Sequence, residues 1–123
     1  MGVHWEEDMS YDDIKKLVQE GDGVATVYAA SLRDAEGAGR LTAGINERIS
    51  KGLSVRGLGH VPFDAKALPT SQWDEVRVFD KASPLGGMIT AAHEVGEEAD
   101  ARLREAVNGE ATSLLEQIRT LLA

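Results

Sequence analysis

The 123-residue sequence predicts an α+β fold, mostly helical, in which a three-helix unit and a β-hairpin precede two or three C-terminal helices. Three observations predict it. Apolar residues recur at helical spacing up to Leu53 and again beyond Pro84. Between these stretches, LSVRGLGHVPF and VRVF have the glycine-interrupted, β-branched character of strands. Gly21-Asp22-Gly23 and Gly37-Ala38-Gly39 break the helical runs, and Ser83-Pro84 starts a new one.

The first helix starts at Ser10, which stands three residues before Asp13 as in a capping box, and Ile14, Leu17 and Val18 form its apolar face. It runs to about Glu20, where the glycine pair stops it. Val24, Val27, Tyr28 and Leu32 then fall at i, i+3, i+4 and i+8, which predicts a second helix over 24–32, with an apolar strand as the alternative for VATVYAASL. Leu41, Ile45, Ile49 and Leu53 repeat every four residues, with Arg40, Arg48 and Lys51 on the other side. That is a third helix with a basic outer face. After it, Val55 and Val61 lie an even number apart, as on one face of a bulged strand, and Val76 to Phe79 reads as its antiparallel partner across a long loop.

Ser83-Pro84 is a helix start, because serine caps and proline lacks only a donor that the first turn leaves unpaired. A helix from Pro84 to about Val95 follows, then a stripe of Ala99, Leu103, Ala106 and Val107 closed by Asn108-Gly109. Leu114, Leu115, Ile118, Leu121 and Leu122 make the apolar face of a last helix, positioned to pack on its own domain, on a second copy or on another protein. Residues 10–80 thus form a helical and hairpin unit. Residues 83–123 form a helical segment, either part of the same compact domain or an oligomer or partner contact.

Composition narrows the function classes. With no cysteine, disulfides, thiolate metal sites and thiol nucleophiles are excluded, which fits a reducing cytoplasm. The N-terminal MGVHWEEDMS carries acids where a secretory leader carries bases, and no apolar run approaches the length of a membrane span, so no membrane partner is expected. A formal charge of −8 opposes polyanion binding, yet its distribution is uneven. Arg33, Arg40, Arg48, Lys51, Arg56 and Lys66 outnumber Asp34, Glu36, Glu47 and Asp64 between residues 33 and 66, so a mildly basic middle lies between acidic flanks.

The chemical motifs are sparse. His93-Glu94-Val95-Gly96-Glu97 approaches the H-E-x-x-H pattern, in which two ligands at i and i+4 hold zinc from one helix face. Glu97 replaces the second histidine, Asp100, Glu105 or Glu110 would have to complete the set, and Gly96 with Glu97-Glu98 reads as a helix junction. Gly57-Leu58-Gly59-His60 lacks the third glycine of a dinucleotide fingerprint and runs into Pro62, so it reads as a strand that needs room for a neighbour. Ser83 to Gly87 could offer backbone N–H groups to an anion, but capping explains the same residues. No spacing joins a serine to one of the three histidines as nucleophile and base. No cofactor is expected. Trp5, and Trp73 in the loop, are each a partner anchor or a core plug.

The order helix, helix, glycine turn, helix GRLTAGINERISKGL, then SVRGLGHVP, a loop and DEVRVFD resembles a winged helix-turn-helix over roughly residues 10 to 80. That resemblance implies a recognition helix near Arg40 to Lys51, exposing Arg40, Arg48 and Lys51, with Arg56 and Lys66 near a two-stranded wing. The leading expectation is a non-enzymatic binding or regulatory module that contacts DNA or a partner protein through the basic helix, the wing loop with Trp73, and the last helix, with a homodimer through that last helix as an equal use of its apolar face. Two alternatives stand beside it: an acidic adaptor that binds only protein, and a small metal-dependent hydrolase using His93, Glu94 and Glu97.

Overall fold

The computed structural model describes residues 9–122, and of residues 110–114 the backbone alone. The chain is α+β and mostly helical, with a three-stranded antiparallel sheet. It divides after Gly86 into two compact units.

In the first unit, helix α1 (Tyr11–Glu20) opens on the predicted capping box. Ser10 Oγ accepts from the Asp13 amide at 3.1 Å, and the Asp13 carboxylate accepts from the Ser10 amide at 3.0 Å. These bonds, the backbone one foremost, hold the Asp13 carboxyl below its usual range. Ile14 and Val18 face inward. The stop is a left-handed turn, with φ of 59° at Asp22 and 106° at Gly23, and it feeds directly into a strand.

That strand corrects the sequence reading. Where the spacing of Val24, Val27, Tyr28 and Leu32 predicts one helix, the chain forms strand β1 (Val24–Tyr28) and then helix α2 (Ala29–Glu36). The alternative, an apolar strand, holds for the first half only. Ala25 and Val27 are buried between partly exposed neighbours, a period of two that the β-branched Val24, Thr26 and Val27 favour. Alanines begin at position 29, and all of Ala29 to Leu32 is buried. Among the described residues no side chain caps α2. Instead the amides of Ala29 and Ala30 donate to the backbone carbonyls of Asp74 and Gln72 at 2.8 and 2.9 Å, so a distant loop satisfies the helix end. Gly37, with φ 72°, closes it in a left-handed C-terminal turn.

Helix α3 (Ala43–Ser54) is capped by Thr42, whose Oγ1 accepts from the Ile45 amide at 3.1 Å. Asn46, Ile49 and Leu53 are buried, with Leu41 and Ile45 partly buried against the core, while Glu47, Arg48 and Lys51 are exposed. The predicted strand after it begins later than the sequence suggests. Leu53 completes the helical stripe and Val55 donates to the Lys51 carbonyl, so Val55 ends the helix, 79% exposed, and shares no strand face with Val61. Gly57, at φ 75°, makes the break, and strand β2 (Leu58–Val61) follows.

Strand β2 pairs antiparallel with β3 (Glu75–Asp80), as predicted, but β3 also pairs with β1, giving the order β1-β3-β2. Val78 stands between Ala25 and His60 and faces the helices. On the other face Gly59 lies opposite Phe79, where a Cβ would come within 2.5 Å of the phenylalanine ring. Glycine at 59 is therefore a close-approach position. The core of this unit gathers Ile14, Val18, Val27, Leu32, Ile49, Leu53, Leu58, Val76 and Val78 between the three helices and one sheet face. Its side-chain transfer from water supplies the main favourable term of folding.

Helix α4 (Pro84–His93) starts as predicted, with Ser83 Oγ accepting from the Gly86 amide at 2.9 Å. The second unit continues through Gly96, at φ 136°, into helix α5 (Glu97–Leu122). The Asn108-Gly109 stop is not used. One 26-residue helix replaces the two predicted, because a mid-helix glycine costs only about 1 kcal/mol and strong helix formers flank it. Trp5 lies outside the described residues, as do the side chains of Leu114 and Glu110. No helix among the described residues is long and apolar enough to cross a membrane.

Candidate functional site

The cations that the sequence singles out have unequal surroundings. Arg40 lies exposed in the turn before Thr42, and Lys51 lies exposed on α3; among the described residues neither has an ion-pair partner. Arg48 is 65% exposed on the same helix but reaches Glu36 Oε2 at 3.0 Å. Glu36 in turn accepts from the Tyr11 hydroxyl at 2.8 Å. Burial, reinforced by that bond to a carboxylate, pushes the Tyr11 phenol well above its usual range, so it stays protonated.

Arg56 turns to α1. Its guanidinium sits 4.5 Å over the Tyr11 ring, Nη1 donates to the Gly52 carbonyl at 2.8 Å, and Nε lies 3.9 Å from Asp12. The residue is thus tied to the helix end, with its side chain 35% exposed. Lys66 is exposed in the 3-10 turn Ala65–Ala67, its amide donating to Asp64 Oδ1. Trp73 is 54% exposed and stands edge-on to Tyr28, with ring centroids 5.5 Å apart. Arg40, Arg48 and Lys51 therefore share the α3 region, Lys66 and Trp73 share the β2–β3 loop, and Arg56 belongs to neither group.

The HExxH-like stretch lacks the helix that its chemistry needs. His93 is the last residue of α4 and Glu97 the first of α5, with left-handed Gly96 between them, so the two do not stand one turn apart on a common face. Among the described residues no group of three His, Cys, Asp or Glu side chains is placed to hold a metal ion.

Two polar contacts unseen in the sequence tie α3 to the hairpin. His60, 5% exposed on β2, donates from Nδ1 to the Pro62 carbonyl, which can only accept. Its Nε2 is therefore the acceptor, and the Ser50 hydroxyl donates to it at 2.8 Å. Burial, with Lys81 adding to it, holds the imidazole pKa below its ordinary value, against the opposing pull of Pro62 and Asp64. A hydroxyl bonded to an imidazole has the geometry of a nucleophile and base, but this histidine is enclosed between helix and strand, so the pair fastens two elements. The buried Asn46 does the same, its Nδ2 donating to the carbonyls of Leu68 and Pro69 at 3.1 and 3.2 Å. The available signal was the inward alternation of Leu58 and His60 on β2.

At the C-terminal end, Leu115, Ile118, Leu121 and Leu122 are exposed on α5, Leu121 at 84%. Val107 is exposed on the same helix. Comparison with protein-family models, curated proteins and solved structures returned no match to this chain.

Proposed function

We propose that the protein is a small, non-enzymatic regulatory module of winged-helix type, acting in the cytoplasm, with α3 as the helix that lies against duplex DNA. The observation that carries this reading is the two-sidedness of α3. Asn46, Ile49 and Leu53 are buried while Arg48 and Lys51 project to solvent, and the β2–β3 pair follows at once, so helix and loop are held as one body by Ser50–His60 and Asn46. The order α1, β1, α2, α3, β2, β3, with β2 and β3 paired, supports the winged-helix reading. The exposed apolar side chains of α5 would join two copies. Val107, Leu114 and Leu121 stand seven residues apart, the spacing of a coiled-coil seam.

A titration of duplex DNA at two salt concentrations tests the reading. Contacts from Arg40, Arg48 and Lys51 predict an affinity loss of roughly 40-fold between about 50 and 200 mM salt, and Arg48→Ala with Lys51→Ala should flatten that dependence by about two-thirds. Absence of binding at low salt would leave the adaptor reading, in which only protein is bound. That second reading is favoured by the Arg48–Glu36 pair and by Asp64, Asp74 and Glu75 in and beside the loop.

A further inference from the structure

The β2–β3 loop builds a surface hollow of about 450 Å³, lined by Pro62, Ala67, Pro69, Trp73, Asp74 and Glu75. Its shape is set from within. Asn46 holds the carbonyls of Leu68 and Pro69, the first two amides of α2 hold those of Gln72 and Asp74, and Asp64 caps the 3-10 turn. A hollow fixed before its ligand arrives loses little conformational freedom on binding.

Its chemistry selects charge of one sign. Two prolines and an alanine give apolar walls, the exposed Trp73 ring forms a third, and the carboxylates of Asp74 and Glu75 follow it in sequence, both exposed and without an ion-pair partner among the described residues. Asp64, Asp74 and Glu75 against Lys66 leave this region acidic, so a phosphate is repelled. A flat cation with an apolar stem satisfies every part: the stem lies on the prolines, the charged plane lies on the indole, and its N–H groups meet the carboxylates.

We infer that this hollow is a docking site for an arginine-bearing extended segment of a partner protein. The site can be tested apart from the α3 reading, since its ligand-facing residues include none of Arg40, Arg48 and Lys51. It assigns the loop to a protein ligand.

The experiment is a titration of the full-length, 15N-labelled protein with acetylated tetra-arginine amide at low salt, with tetraglycine amide as control. Saturable shifts at the Trp73 indole and the amides of Ala67, Asp74 and Glu75 are expected. The double variant Asp74→Asn with Glu75→Gln should weaken binding about tenfold or more, because two charge-assisted bonds lose their charge. Lys51→Ala should leave it unchanged. Shifts spread evenly over the acids of α1 and α5, equal affinity in the double variant, or no shift at all would overturn the inference. Both carboxylates are exposed, so the double variant is expected to keep the fold, which its own spectrum checks. Failure to bind DNA bears on α3 and leaves this result untouched.

Discussion

Replacing Ser50 by alanine removes one hydroxyl and nothing else from the α3–β2 junction. The Nε2 of His60 loses its donor while Nδ1 stays committed to the Pro62 carbonyl, so a buried acceptor is left without a partner. Such an orphan costs about 1–3 kcal/mol. For a chain of this size each kcal/mol lowers Tm by about 4 °C, so Ser50→Ala should melt about 4 to 12 °C lower. The pH dependence adds a second signature. His60 is folded in the neutral form with its pKa lowered by burial, whereas the unfolded chain takes up a proton at the ordinary value of about 6.5. The stability that this neutral imidazole contributes is complete above that pH and declines as pH falls through it toward the folded value. Thermal unfolding followed by circular dichroism, at about pH 7.5 and about pH 5.5, should show the native protein losing Tm on acidification. A His60→Gln variant, which has no proton to gain there, should lose less. A Ser50→Ala variant that melts with the native protein, or a His60→Gln variant with undiminished acid sensitivity, would refute the reasoning.

Four further outcomes are expected. Asn46→Ala strips the carbonyls of Leu68 and Pro69 of their donor, so it should cost about 2 kcal/mol and speed amide exchange in residues 64–74 beyond that in the helices. Ser31→Ala should stabilise by about 1 kcal/mol in chemical denaturation, because the Ser31 hydroxyl is fully buried on α2 with no hydrogen-bond partner among the described residues; a loss of stability would mean that the hydroxyl is satisfied. Gly59→Ala should cost about 1–3 kcal/mol, since the new methyl meets the Phe79 ring, and an unchanged denaturation midpoint would show that the ring can move aside. Light scattering of Ile118→Lys with Leu121→Lys should report the mass of one chain where the native protein reports two, with the fold of residues 9–86 intact by circular dichroism; equal masses would remove α5 as the self-association contact.

The fold class was legible in the residues because it rests on the strongest signals. Ser10 with Asp13, the Ile49–Leu53 stripe and Ser83-Pro84 are local rules, and each lies where the rule places it. The errors arose where two periods fit the same letters. Val24, Val27 and Tyr28 match a helix in spacing, but Val27 is buried through pairing with β3, about fifty residues away, which no local pattern contains. Asn108-Gly109 reads as a stop because both residues favour one, yet a helix propagates through them when its neighbours on both sides are strong formers. Of the proposed contact residues, exposure on α3 was legible and pairing was not. Arg48 and Arg56 look alike in sequence, and only the fold brings Glu36 to one and the Tyr11 ring to the other. The hollow beside Trp73 was invisible for the same reason, as its lining spans residues 62 to 75 and its form depends on Asn46.

Helix α2 begins on acceptors lent by residues 72 and 74, and this changes what kind of segment the connection between the last two strands is. Surface connections ordinarily drift in length among relatives at little cost. Here lengthening the stretch close to Asp74 would unseat the opening turn of a helix more than forty positions earlier, so extra residues are admissible only nearer the tip, around Lys66. Diversity in this region must therefore come by exchanging side chains on a fixed frame, a constraint that makes the same frame suitable for grafting new recognition sequences.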